Sequence, residues 1–439
     1  MNLNKNYISI QLNEVNREWL ISYAKKNNFV NIKTILSWNG VNTESEKEYS
    51  HLEPWIQWPT YYLGKSYKEH KLFHLGDVHQ RKKNYSIYDY FQSLGRDVLA
   101  LAPMNCSFKT NKNSLIIHDP WSNRSVKKGS KLLRQFWEVV CYFINENSNN
   151  TFKPKYLVIL LISLIRFARF RNYISYIKLL FFSIFFNWSR AIFLDLLLFD
   201  VFTYLIKNGN YSYSSLFLNA GAHIQHHYLF DSFLYRNITH GKNKNPLTYS
   251  SLFTKFLDPM YQVYKIYDHV IYDLLKLGNT FDIEITTGLQ QKINPNPYFQ
   301  YRIKNYDDFF NSVSLKYIRF EKKMSRDIYI FFEKKDDLDF ARETLNKYKI
   351  KKQPFFKVYS SKEDLSLFVQ VAYRGNISDL KNVEFDNKKI NFEKLISLVS
   401  IENAIHQSVG WHVNNFHKFN KKKIPLKNLT NELYGFKNK

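Results

Sequence analysis

The sequence predicts an α/β protein: a mostly parallel central sheet with helices on both faces, a helical insertion and a C-terminal α+β subdomain. Three observations predict it. The chain has 439 residues, 45% of them hydrophobic and 18% aromatic, which is more than one small core needs and suits a large domain with an appended unit. The apolar period switches repeatedly from 2 to 3.6, the mark of a strand followed by a helix. Several strand-like apolar runs also end in polar residues, as buried strands do where they reach a ligand cleft.

The elements follow in order. YISIQL, residues 7–12, alternates and is rich in Ile, and NEVNREWLISYAKKN, 13–27, has the spacing of an amphipathic helix. SIYDYFQSLG reads as a helix, RDVLALAPMN as a strand, and YSSLFLNAGAH as a strand leading into polar residues. Recurrent β-to-α alternation argues for a parallel sheet covered by helices, with QLNE, APMN and FLNAGAH at its carboxyl edge. Between Tyr156 and Ile206 the chain is strongly apolar, yet no uninterrupted run reaches the ~20 residues that span a bilayer, so packed helices outside the sheet are expected. Arg166, Arg169, Arg171 and Lys178 among aromatic residues also suit a peripheral contact with lipid. From Tyr301 short strands surround one helix. The expected division is 1–150 for the first half of the α/β domain, 151–208 for the helical insertion, 209–300 for the second half, and 301–439 for an α+β subdomain returning to the site.

The net charge of +25 would ordinarily suggest nucleic acid or an anionic surface. The excess is mostly Lys, diffuse, and accompanied by the Asn, Ile, Tyr and Phe that an AT-rich coding sequence favours. No nucleic-acid motif appears, so no nucleic-acid partner is expected. Cys106 and Cys141 stand far apart in apolar settings and read as buried free thiols of a reducing compartment. The N-terminal residues carry no secretory pattern, and the cytoplasm is expected, with the inner membrane surface as a peripheral option.

The order of motifs resembles the alkaline phosphatase superfamily of phosphodiesterases, sulfatases and phosphomutases, over about residues 5 to 300. Gln11-Leu12-Asn13-Glu14 is similar to a strand end often written L-D-G. The stretch EPWIQWPTYYLGKSYKEHKLF, Glu53 to Phe73, keeps Gly64 and His70 of a nucleophile loop similar to T-G-x-x-P-x-x-H-G. Asp119 to Trp121 is a DPW element, and Asn219-x-x-x-His223 is similar to D-x-x-x-H. EPWIQW, LNAxAHxQHHY and MSRD resemble more closely a bacterial subgroup often associated with surface-polysaccharide loci.

The resemblance implies two close divalent ions held by carboxylates and clamping an in-line displacement at phosphorus or sulfur. Those carboxylates are largely missing: Asn13, Asn219 and Gly288-Leu289-Gln290 stand where acidic groups are implied. All three departures remove negative charge, so the ordinary two-metal centre is expected to be absent. Family spacing also puts Pro54, beside Glu53, at the nucleophile position. Thr60 lies too near Gly64 and reads as a helix hydroxyl. Glu53 is the candidate catalytic acid or base, with a carboxylate favoured by a helix N-terminus as the equal alternative.

Three histidines in five positions mark AHIQHHY. On a helix His223 and His227 share one face, a spacing that can place two imidazoles on one ion, while His226 points aside. His412, in VGWHVNN, resembles the late histidine that completes one metal site of the superfamily, and His406 is a less well-placed substitute. The expected metal ligands are therefore His223, His227 and His412, with Glu53 or Glu14 as a further oxygen, holding a single ion for which zinc is preferred to magnesium. Asn13, Asn219 and Gln290 are expected to bind substrate, converging with Glu53, His223 and His412 in one cleft. Two functions stay open. One is a divergent phosphate- or sulfate-ester hydrolase or transferase acting on a glycan or lipid-linked intermediate. The other is a non-catalytic relative that binds an anionic glycan or a partner enzyme.

Overall fold

The computed structural model describes residues 5–79, 85–107, 111–122, 125–145, 153–235, 257–278, 280–322, 327–361 and 364–437. Met324 to Arg326 of the MSRD motif lie outside the described residues. The chain divides into two compact units: residues 1–139, 154–293 and 403–439 form one, and 140–153 with 294–402 the other.

The first unit holds the central sheet. Its strands are β1 (Asn6–Leu12), β2 (Asn39–Glu44), β3 (Val98–Leu101), β4 (Leu115–Ile117), β5 (Tyr213–Leu218), β6 (Phe281–Thr286), β9 (Val409–Asn414) and β10 (Lys423–Pro425), with β7 (Gln290–Ile293) and β8 (Ala404–Gln407) as a separate pair. The order across the sheet is β10-β2-β9-β6-β1-β5-β3-β4. β1 runs parallel to both β5 and β6, and β3 parallel to β5 and β4, whereas β9 is antiparallel to its neighbours β6 and β2. A mostly parallel sheet must be covered on both faces. Ser9 and Gln11 of β1 face tyrosines of the helix α2 (Pro54–Leu63), with Tyr62 donating to Gln11 Oε1 at 2.6 Å. Ile8, Ile10 and Leu12, on the opposite face, are equally buried.

Helix α1 (Arg17–Asn27) follows β1 and is capped by Asn16, which accepts from the backbone of Trp19. The apolar region forms α3 (Pro154–Phe167), α4 (Tyr173–Phe185) and α5 (Trp188–Asn208). Among the described residues no helix is long and apolar enough to cross a membrane. α5 is the buried member: it packs on β3 and β5 while α3 and α4 lie against it. Helices α6 (Ala220–Tyr228) and α7 (Pro259–Leu277) also pack on α5 and on each other. Gly221 explains itself here, since a Cβ would sit 2.6 Å from Val15 and 3.2 Å from the Tyr267 ring, and only a glycine lets α6 approach so closely. Cys106 and Cys141 are buried and not joined in a disulfide.

The second unit is the α+β part. A four-stranded antiparallel sheet, built from 319–322, 327–331, 356–360 and 366–371, is accompanied by a helix over Lys335–Asn346. Phe309, Phe355, Leu367 and Ile330 form its core.

Candidate functional site

β1, β5 and β6 end side by side, and the polar residues that follow them meet. Asn13 and Asn219 follow adjacent parallel strands, and Asn13 Nδ2 donates to Asn219 Oδ1 at 2.8 Å and to Glu14 Oε1 at 2.9 Å. Its own Oδ1 accepts from Trp58 Nε1 of α2 at 2.7 Å. Every polar atom of the Asn13 side chain is therefore engaged, and it aligns Glu14 against Asn219. Asn219 is positioned in turn by Asp195 of α5, whose carboxyl accepts from the backbone N–H of Asn219 and Ala220 and from the Tyr267 hydroxyl. Burial pushes the Asp195 carboxyl up to about 7 against those hydrogen bonds.

Glu14 has the left-handed backbone, φ 56°, that a side chain with a Cβ rarely adopts. What holds it is a set of tertiary bonds: its carbonyl accepts from Gln291 N at 3.2 Å and Gln225 Nε2 at 2.9 Å. This turn points the carboxylate toward β7 and β8. There Gln291 Nε2 donates to Oε2 at 2.6 Å, and the same oxygen lies 2.9 Å from both His226 Nε2 and His406 Nε2. The two Nε2 atoms are 3.1 Å apart. Among the described residues, Glu14, His226 and His406 are the group whose ligand atoms come together as a metal site needs.

The outer nitrogens decide what the inner ones carry. His226 Nδ1 lies 2.9 Å from the Ala404 carbonyl, which can only accept, so Nδ1 bears the proton and the neutral ring offers a lone pair at Nε2. His406 Nδ1 lies 3.7 Å from Glu53 Oε2, which favours the same tautomer. Two imidazole lone pairs and a carboxylate oxygen thus converge within about 3 Å, and a cation must stand between them, either as added protons or as a metal ion. Burial acts to raise the Glu14 pKa, but the charges and hydrogen bonds of His406 and His226 outweigh it and hold the carboxyl well below its usual range. Burial likewise disfavours a charged His406, and Glu14, aided by Glu53, overcomes it and raises the imidazole pKa. The donor set also fits a metal. A tetrahedral zinc with bonds near 2.0–2.1 Å spaces its ligand atoms roughly 3.3 Å apart, close to the 2.9–3.1 Å found here. A backbone carbonyl and a carboxylate orienting the outer ring nitrogens is the usual support of metal-bound histidines.

The remaining expected residues are placed as follows. Glu53 is the N-cap of α2, one-third exposed beside His406. His223 and His227 lie on the neighbouring face of α6 with ring centroids 4.7 Å apart. Gln290 accepts from the backbone of Arg17 at 3.0 Å. His412 is on β9, fully buried, with Nδ1 3.5 Å from Glu284 Oε2 and Nε2 3.2 Å from Asn414. Burial drives the His412 pKa down to about 3, so the imidazole is uncharged, and burial raises that of Glu284. His223, His227 and His412 are thus not the residues that converge on one point; the face of α6 that meets Glu14 carries 222, 225 and 226. Thr60 donates to the Ile56 carbonyl and bonds His70 Nε2, each at 3.1 Å. It is a helix hydroxyl, as expected. Sequence reasoning gave His226 and Gln291 no role. Gln291 is brought to the site by pairing with His406 across β7 and β8, a contact between distant segments that no local pattern signals.

No protein-family model matches the chain, and no curated protein matches it. Among solved structures it aligns with murine ectonucleotide pyrophosphatase / phosphodiesterase 5 at 10% identity and a TM-score of 0.41, covering 99% of this chain and 96% of that one. Phosphonoacetate hydrolase from Sinorhizobium meliloti 1021, in complex with phosphonoformate, aligns at 8% identity and a TM-score of 0.43, over 97% and 94% of the two chains. Likeness at this level transfers neither a residue role nor an activity.

Proposed function

We propose that the chain is a phosphate- or sulfate-ester hydrolase or transferase with a reduced, single-ion site, acting on a glycan or lipid-linked intermediate. The observation that carries this reading is the convergence of Glu14, His226 and His406 at the carboxyl ends of the central strands. These three residues would hold the ion. Two nitrogens and one oxygen favour zinc, which supplies Lewis-acid polarisation of an ester oxygen when bound. Only one carboxylate in the set bears charge, which suits one divalent ion and not two.

The chain's own groups supply the rest. Glu53, one-third exposed and beside His406 Nδ1, is the group placed to accept or return a proton at the mouth of the site. Asn219 keeps an amide N–H2 beyond its contact with Asn13, suited to an anionic oxygen of the substrate. Gln290 retains its amide nitrogen in the same way. Two buried cysteines without a disulfide suit a reducing compartment such as the cytoplasm, and a peripheral contact at the inner membrane would bring a lipid-linked substrate within reach.

The missing aspartates favour one other reading, a non-catalytic protein that binds an anionic glycan or a partner enzyme. Metal analysis of protein purified without chelator, with a panel of phosphate and sulfate esters assayed on wild type and Glu53→Gln, separates the two. One equivalent of zinc with turnover that Glu53→Gln removes supports the enzyme. Zinc without turnover of any ester favours the binding protein, and two equivalents of metal would refute the single-ion site.

A further inference from the structure

The helices α3 and α4 carry a surface that the ester chemistry does not use. Leu161 and Ile165 on α3, Phe170 between the helices, and Ile174, Ile177 and Ile184 on α4 are all exposed, Ile165 by 76%, Phe170 by 92% and Ile174 by 81%. The residues recur at helical spacing, so each helix has one apolar stripe turned outward. The opposite stripes, with Leu164 and Phe167 on α3 and Tyr176 and Leu179 on α4, are buried where the helices lie against α5. A soluble chain rarely exposes so many large aliphatic and aromatic side chains side by side, and such a patch marks an interaction surface.

The charges around the patch identify what covers it. From Lys153 to Leu194 the sequence holds seven Lys and Arg and no Asp or Glu. Arg169 and Arg171 are anchored inward by Asp200 and Asp273, while Lys155, Arg166 and Arg190 are exposed. Apolar stripes rimmed by cations and free of anions are the composition of helices that lie in a lipid interface. At 14 and 13 residues and 1.5 Å per residue the helices are roughly 20 Å long, too short to span a bilayer core of about 30 Å. A second copy of the chain fits less well, because a two-fold contact would bring the same cations together.

We propose that the outward faces of α3 and α4 seat the protein on an anionic lipid surface, the apolar stripes entering the acyl boundary and the exposed Lys and Arg meeting acidic headgroups. This does not depend on the ester chemistry and would stand if that chemistry failed.

The test is flotation of the full chain with vesicles of phosphatidylcholine alone and of phosphatidylcholine mixed with phosphatidylglycerol. Binding to the mixed vesicles should be at least about tenfold tighter. It should fall by a similar factor in the double variant Ile165→Glu with Phe170→Glu, whose thermal unfolding should be unchanged because both side chains are already in water. Lys155→Glu with Arg190→Glu should weaken binding and flatten its salt dependence. No binding to either vesicle would overturn the proposal. So would binding that the apolar double variant leaves intact, which would reduce the effect to diffuse positive charge. Sedimentation as a dimer that ignores vesicles and dissociates in the double variant would assign the face to a second copy and overturn it equally.

Discussion

Glu14→Gln is the sharpest perturbation of the candidate ion site. The amide keeps the volume and still takes the Asn13 hydrogen bond, but removes the charge facing His226 Nε2 and His406 Nε2, each 2.9 Å away. Without metal, a charge-assisted hydrogen bond contributes about 1.5–3 kcal/mol, and the two contacts share one oxygen, so a combined loss of roughly 3 kcal/mol is expected. Its pH dependence has a definite sign. The raised His406 contributes stability below its ordinary value of 6.5 and loses it as pH rises through the higher folded value. The lowered Glu14 contributes above its ordinary 4.5 and loses it as pH falls through the folded value. The variant should therefore cost most between those two ordinary values and progressively less in alkali. Zinc reverses the trend, because it competes with the His406 proton. At a hundredfold excess over Kd it should add about 2.7 kcal/mol, a rise in Tm of roughly 3–4 °C for a chain of this size, larger at pH 8 than at pH 6. Calorimetry of chelator-treated protein with and without zinc, at both pH values, reads all of this. A zinc shift that is equal in wild type and Glu14→Gln, or absent from wild type, would refute the site.

Three further outcomes follow from the same geometry. His226→Ala and His406→Ala should each remove the stoichiometric ion measured by metal analysis while His223→Ala leaves it in place; the reverse pattern would restore the ligand set of His223, His227 and His412. Thr60→Ala should cost about 1 kcal/mol in a chemical melt and leave metal content and any turnover unchanged, since the hydroxyl only joins Ile56 to His70. His412, with its pKa driven to about 3, should make the fold acid-labile: the unfolded chain takes up a proton near 6.5 that the folded chain refuses, so stability falls by up to ~1.4 kcal/mol per pH unit across that window. Urea melts from pH 7 to pH 4 should show that slope, reduced in His412→Gln.

The sequence reveals the sheet more readily than the site, and the reason lies in the period of each pattern. β1 and β5 are buried on both faces and announce themselves, β1 by its alternating isoleucines and β5 by its apolar end, as strands that stop at Asn13 and Asn219. A helix offers several faces, and only tertiary packing selects one. His223 and His227 share a face as the spacing requires, but α6 meets the Glu14 turn with Ala222, Gln225 and His226, because Gly221 presses the helix against Val15 and Tyr267. The partner strands are equally hidden. Gln291 and His406 are adjacent only because β7 pairs with β8 across more than a hundred intervening residues. His412 lies within β9, pairs with Thr286, and sits beside Glu284 in the core.

The neutral asparagines and the clustered histidines belong to one electrostatic argument. Two divalent ions a few ångströms apart repel strongly in a site of low dielectric, and anionic ligands must offset that repulsion. With Asn13 and Asn219 neutral, Glu14 is the one carboxylate of the ligand cluster, and neutral imidazoles add affinity for an ion without adding anions. Asn13 also has a positive task that an aspartate could not perform: its amide nitrogen donates to Glu14 Oε1 and Asn219 Oδ1 at once, where a carboxylate would repel the first and fail to donate to the second. An asparagine at position 13 is thus consistent with the turn that aims Glu14 at His226 and His406. Introducing an acid with Asn13→Asp should weaken the candidate ion site by misaligning Glu14, and an Asn13→Asp protein that instead gained a second equivalent of metal would refute the positioning role of Asn13.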